Sequence, residues 1–72
     1  MKKTSKQLAN SLDFRSEVEL YFYLVDCYFN GNIAGSKRLF NELKKEDKKH
    51  FIFWLTIEYN GTDVFNHYFN EL

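Results

Sequence analysis

The chain of 72 residues has no proline, three glycines and a single cysteine, and its ten Lys plus Arg balance its ten Asp plus Glu. One cysteine excludes a disulfide scaffold and any zinc module built on several cysteines. Charged residues interrupt every apolar run, so no stretch is long enough to span a membrane. The basic segment Met1–Lys6 leads into no apolar run, and we therefore expect no secretory signal and a cytoplasmic protein.

Apolar and aromatic residues are plentiful. Hydrophobic residues make up 44% of the chain and aromatic residues 19%, a composition that excludes a disordered segment. A chain of this size can bury roughly 60% of its extended surface, which is enough for one small core. No repeat, low-complexity tract or linker is present, so we expect a single helical domain over residues 1–72.

The apolar spacing is helical along most of the chain. Residues that commonly cap helix N-termini precede four apolar stretches: Thr4 or Ser5, Ser16, Asn32 and Thr62. Glycine, which ends helices by adopting the left-handed conformation, occurs in the two pairs Asn30-Gly31 and Asn60-Gly61. We therefore expect an all-α fold, a compact bundle of three main helices plus a short N-terminal helix.

The segment 51–59 leaves an alternative open. Its aromatic and β-branched residues suit a strand, and Asn60-Gly61 is a preferred hairpin turn, which favours an α+β fold with a hairpin at that turn. The apolar residues between Thr62 and Leu72, however, have helical spacing and do not alternate. We therefore expect residues 51–59 to be helical.

Two of the expected helices carry more apolar surface than one core-facing stripe requires. Ten of the thirteen residues 17–29 are apolar or aromatic, and a helix that is apolar nearly all round is normally buried on several sides. In segment 51–59, Phe51 and Leu55 face one way, whereas Phe53 and Ile57 face another. This second face is either covered by the short N-terminal helix or exposed.

An exposed second face would be a surface for binding a protein. Aromatic residues are enriched at such interfaces because they combine a large apolar body with, in Tyr and Trp, a polar group. We expect the contact to involve Phe53, Trp54 and Ile57, together with tyrosines of the preceding apolar helix, namely Tyr21 and Tyr28. The partner is then another protein or a second copy of the chain, as in a homodimer.

The charges alternate in blocks. Residues 1–16 and 37–50 each carry a net charge of +3, whereas residues 17–36 and 51–72 each carry −3. Opposite blocks can pair between adjacent helices or between two copies of the chain, and such pairing sets orientation more than affinity. The alternative is a plain solvated surface.

The sequence gives little support for catalysis or for metal binding. Cys27 with His50 or His67 has the residue types of a nucleophile and its base, but Cys27 lies among apolar residues, where a free cysteine behaves as a small hydrophobe. The two histidines belong to no set with metal-ligand spacing. We expect no enzymatic activity, no catalytic residue, no metal and no cofactor.

Nucleic-acid binding is the alternative function. A helix that ends near Leu43 and another that starts near Glu46 resemble a helix-turn-helix, whose second helix reads base edges from its N-terminal residues. The candidate contact residues there are Lys44, Lys45, Lys48, Lys49 and His50. Two acidic residues interrupt this cluster, and apolar residues follow where polar base-reading side chains would be needed, which favours the protein-binding interpretation.

Two resemblances bear on function. The segment 21–43 resembles one helical hairpin of a tetratricopeptide-type repeat, in a single copy. In the segments Gly31-Asn32-Ile33 and 44–55, the chain is similar to the small helical proteins, rich in Lys, Asn, Phe and Tyr, that phages and prophages of AT-rich bacteria encode. This second resemblance implies an accessory protein that binds and blocks a host protein, such as a defence nuclease, and it assigns no site residues.

Overall fold

The computed structural model describes residues 2–70 as five helices. They are α1 (Ser5–Ser11), α2 (Glu17–Phe29), α3 (Ile33–Asn41), α4 (Lys45–Glu58) and α5 (Asp63–Phe69). No strand occurs within residues 2–70, where an isolated bridge joins Lys3 to Leu43. The all-α prediction is confirmed.

The expectation that segment 51–59 is helical is confirmed up to Glu58, and the alternative hairpin is wrong, because α4 runs through this segment. The expected count of three main helices plus one short helix is wrong, because residues 2–70 form five helices. The stretch that begins at the predicted cap Thr62, after the left-handed Gly61 with φ 79°, is a separate short helix. Glu71 and Leu72, at the end of the expected last helical stretch, lie outside the described residues.

Side chains cap four of the five helices as expected from the sequence. Thr4, Ser16, Asn32 and Thr62 each accept a hydrogen bond from the backbone N–H three residues later. Each such cap satisfies an N–H group that the helix itself leaves unpaired. Helix α4 is the exception, because the side chain of its N-cap residue, Lys44, makes no capping hydrogen bond. The position of α4 therefore depends on packing.

An aromatic cluster in the core holds α4 in place. The rings of Phe40, Phe51 and Tyr68, from α3, α4 and α5, have centroids 4.9 to 5.8 Å apart, and all three residues are fully buried. The hydroxyl of Tyr68 donates to the carbonyl oxygen of Leu24 in α2 at 3.1 Å, and the Ser36 hydroxyl donates to the same oxygen at 3.4 Å. We call these three rings the core triad. It joins α3, α4 and α5 to one another and, through Leu24, to α2.

The N-terminal segment packs across the turn between α3 and α4. The Lys3 N–H donates to the Glu42 carbonyl at 2.7 Å, the Lys44 N–H donates to the Lys3 carbonyl at 2.8 Å, and the Lys3 ammonium pairs with the Glu42 carboxylate at 3.0 Å. The Ser5 N–H then donates to Asp47 at 2.8 Å, so the start of α1 is fastened to the first turn of α4. Helix α1 packs against α2 and leaves the outer face of α4 uncovered.

We expect Phe51→Ala to destabilise the protein strongly. Truncating a buried phenylalanine removes its burial energy and leaves a cavity, at a loss of about 3–5 kcal/mol, and a domain of this length has a total stability of roughly 4–11 kcal/mol. Urea denaturation followed by circular dichroism measures the loss. Phe53→Ala, two residues along the same helix, is the matched control and should change stability by less than about 1 kcal/mol. Similar losses in both variants would contradict the packing described.

We expect stability to fall above pH 10. Burial raises the pKa of Tyr21 and of Tyr68 above the usual value of 10. The unfolded chain therefore releases these protons at a lower pH than the folded chain, and each buried tyrosine removes up to about 1.4 kcal/mol of stability per pH unit in that range. Urea midpoints between pH 9 and pH 11 measure the slope, and a constant midpoint over this range would contradict the burial of these hydroxyls.

A candidate docking surface

Helix α4 presents apolar residues on two opposite sides. Phe51 and Leu55 are fully buried, whereas Phe53 is 67% exposed and Ile57 is 66% exposed. Phe53 and Ile57 are four residues apart and are therefore neighbours on the helix surface. The expectation of two distinct apolar faces on this segment is confirmed, and the N-terminal helix does not cover the second one.

Trp54 links this outer face to helix α2. It is half-buried, and its ring meets the ring of Phe22 edge-on with centroids 4.9 Å apart. The Trp54 ring also lies 5.5 Å from the ring of Tyr21 and 6.1 Å from that of Phe51, which it faces in a stacked orientation. Contacts on several sides fix the orientation of the indole, whose remaining surface lies between α2 and α4.

The apolar surface continues onto α2. Phe22 is 44% exposed and Phe29 is 61% exposed, and their spacing of seven residues places them on the same side of the helix. Tyr59, at the end of α4, is half-buried and lies 5.8 Å from the Trp54 ring and 6.4 Å from the Phe29 ring. We call the resulting surface the apolar band; its members are Phe22, Phe29, Phe53, Trp54, Ile57 and Tyr59.

Of the two tyrosines predicted for the docking surface, Tyr21 lies in the core and Tyr28 is half-buried beside Phe29. Tyr21 is only 5% exposed, because its ring packs on Phe51 and its hydroxyl shares a hydrogen bond of 2.8 Å with the buried hydroxyl of Ser5. Its predicted place on an exposed patch is therefore wrong. Tyr28 is half-buried between Phe29 and His67, with ring centroids at 5.7 and 5.0 Å. It supports Phe29 from behind the apolar band.

Charged residues lie along both edges of the apolar band. On α2, Glu19 and Asp26 are exposed. In helical projection they lie next to Phe22, on the side of the helix that points away from Trp54. On α4, Lys45 and Lys49 are exposed and lie beyond Phe53 on the side that points away from α2. The apolar band thus has a carboxylate edge on α2 and a lysine edge on α4.

The predicted nucleic-acid residues are divided by the fold. Lys44, Lys45, Lys49 and His50 are exposed at the start of α4. Lys48 points inward, where its ammonium donates to the Asn41 side chain at 3.3 Å and lies 5.3 Å from the centre of the Phe40 ring. The exposed cluster therefore lacks the central lysine that the sequence placed in it.

The residues considered for catalysis occupy separate, largely structural positions. Cys27 is a free, buried cysteine on α2. His67 lies between the rings of Tyr28 and Tyr68, and its buried Nε2 has no hydrogen-bond partner within residues 2–70. The described part of the chain contains no group of three His, Cys, Asp or Glu side chains arranged to hold a metal ion.

A cleft of about 320 Å³ lies between α1 and the start of α2. Its lining mixes the basic side chains Lys6 and Arg15 with the acidic Glu17 and the apolar Val18, so it has no single chemical character. Between residues 2 and 70, no helix combines the length and the apolar character needed to cross a membrane.

We expect Phe53→Ser to remove much of the apolar surface without unfolding the domain. The side chain is mostly in water already, so its loss changes stability by less than about 1 kcal/mol, whereas the apolar band loses one of its two most exposed members. Binding of an apolar fluorescent dye at low micromolar protein concentration measures the change. Phe69→Ser, at an exposed phenylalanine on α5, is the control. Equal dye binding by both variants would contradict a continuous band.

Comparison with known proteins leaves the chain without an identified relative. No protein-family model matches it, no curated protein matches it, and no solved structure matches it. Its function is therefore inferred from its own residues, above all from the apolar band.

Proposed function

We propose that the protein is a non-catalytic interaction module that docks onto protein surfaces through the apolar band. The observation that carries this proposal is the outer face of α4, where Phe53 and Ile57 are about two-thirds exposed on the helix whose other side forms the core. Removing a large apolar side chain from water contributes roughly 1.5–3 kcal/mol. A partner that covers the apolar band gains a share of this energy at several side chains at once, in proportion to the surface that each still exposes.

The arrangement of the rings suits an anchor for binding. Tightly packed aromatic side chains at the centre of an interface contribute most of the energy of association, and side chains already held in place lose little entropy on binding. Trp54 meets both conditions, because Phe22, Tyr21 and Phe51 contact its ring while part of its surface remains exposed. Phe53 and Ile57 then extend the contact along α4.

The resemblance to phage accessory proteins implies a concrete form of this function. An inhibitor that blocks a host or defence protein needs a stable surface and no chemistry of its own, and the apolar band supplies such a surface. The charged edges, with carboxylates on α2 and lysines on α4, would orient the complex, because complementary charges set register and exclude wrong partners.

A second candidate, a small DNA-binding regulator, has one supporting observation. Residues 42–44 form a short turn between α3 and α4, the length found in helix-turn-helix motifs, and Lys45 and Lys49 are exposed at the start of α4. Against it, Lys48 points inward, and the carboxylate of Asp47 accepts the Ser5 N–H. Fewer phosphate contacts remain than a DNA-binding helix normally makes.

The two functions differ in their dependence on salt. We expect the immobilised protein to retain its protein partner when the salt is raised to about 0.5 M, because apolar contacts are little screened, and to bind duplex DNA no more tightly than a weak non-specific binder at physiological salt. Phe53→Ser combined with Ile57→Ser should abolish partner retention, whereas Lys44→Glu, at an exposed lysine outside the lysine edge of the band, should leave it largely intact.

Phe69→Ser removes an exposed phenylalanine outside the apolar band and should retain the partner. Tight DNA binding that falls steeply with salt and weakens in the Lys44→Glu variant would favour the regulator and contradict the docking module.

A further inference from the structure

We propose that the partner of the apolar band is a second copy of this chain, bound about a two-fold axis that lies in the interface and runs along the band. This inference rests on the proposed docking function and names the occupant of the docking surface. It depends on the charges at the two edges, on the direction of α2 and α4, and on the area of the band.

The two charged edges make the surface complementary to itself. Glu19 and Asp26 lie along the α2 edge, and Lys45 and Lys49 lie along the α4 edge. A two-fold axis that runs along the band exchanges its two edges, so the carboxylate edge of each copy meets the lysine edge of the other. Every such contact occurs twice in a two-fold dimer, and the apolar strips between the edges face each other.

The ring contacts identify which charges meet. Phe22 contacts Trp54, and Phe29 lies near Tyr59, so residue numbers increase in the same direction along α2 and α4. Glu19 lies in the first turn of α2. Of the acidic residues on the α2 edge, it is therefore the one nearest to Lys49 along the length of the band. We infer that Glu19 of one copy pairs with Lys49 of the other.

The charges of a single copy leave these groups available. Among residues 2–70, the ion pair that the geometry supports is Lys3 with Glu42, so neither Glu19 nor Lys49 is used in an ion pair within this part of the chain. The carboxylate of Glu19 accepts the Arg15 backbone N–H through one of its two oxygens, at 2.7 Å. The formal net charge of the protein is zero, so two copies approach without the repulsion that keeps strongly charged proteins apart.

The area of the band fits a small dimer interface. With about 200 Å² for a fully exposed aromatic side chain, the exposed parts of the band amount to roughly 500 Å², comparable to the largest apolar patches on monomeric proteins. The smallest specific interfaces bury about 600 Å² on each partner, which the band reaches once its charged edges are included. We therefore expect a weak dimer, because weak and transient complexes lie at this low end of interface sizes.

Sedimentation velocity over a concentration series tests the proposal. We expect Lys49→Glu to weaken the dimer about tenfold or more, because each of two attractive pairs becomes a repulsive one. Glu19→Lys should weaken it similarly, and the two changes together should restore the dissociation constant to within about threefold of the original, since the swapped charges again attract. Lys6→Glu, the same charge change on α1, should leave association unchanged.

Three contrary results separate failure of the dimer, of the docking function and of the two-fold arrangement. A protein that stays monomeric at the highest concentrations but binds apolar dye, and loses that binding on Phe53→Ser, overturns the dimer and preserves the docking function. A monomer whose dye binding does not depend on Phe53 overturns both. A dimer that Phe53→Ser weakens but that the Lys49 and Glu19 changes leave unaltered overturns the two-fold arrangement. Circular dichroism of each variant establishes that it is folded.

Discussion

The core triad of Phe40, Phe51 and Tyr68 is the packing constraint on which the rest of the molecule depends. It joins α3, α4 and α5, and the hydroxyl of Tyr68 extends it to the Leu24 carbonyl on α2. A buried hydroxyl must be hydrogen-bonded, so this bond fixes the position of the ring as well as its depth. Once Phe51 is held in the core, helical geometry turns Phe53 outward, and the docking face follows from the same packing that makes the fold stable.

The size of the domain explains why the outer face is left open. Helix α1 is seven residues long and is fastened by Ser5 to Asp47 and Tyr21, so it packs against α2 rather than the outer side of α4. A chain this short has no further element among its described residues to place there. The apolar band is therefore available for another molecule, and its two oppositely charged edges bias the way in which that molecule binds.

Sequence patterns predicted much of this arrangement, and where they were wrong the cause is tertiary contact. The four-residue spacing of Phe53 and Ile57 was enough to predict a second face on α4. On α2, where nearly every position is apolar, periodicity could not distinguish Phe22 and Phe29, which are exposed, from Tyr21, which is buried. The burial of Tyr21 depends on a hydroxyl from α1, Ser5, and no local pattern contains that partner. The signals that separate α5 from α4, the left-handed Gly61 and the cap Thr62, are by contrast local and are visible in the sequence.

The one tryptophan of the chain, Trp54, lies in the apolar band and allows the most direct test of whether the band is a docking surface. The measurement is quenching of its fluorescence by acrylamide over a range of protein concentrations. If the band is the docking surface, the Trp54 side chain is partly accessible in dilute solution and becomes protected, with a blue-shifted emission, as the protein associates through the band. Quenching that stays constant from dilute to concentrated protein, or an indole already fully protected in the monomer, would contradict it.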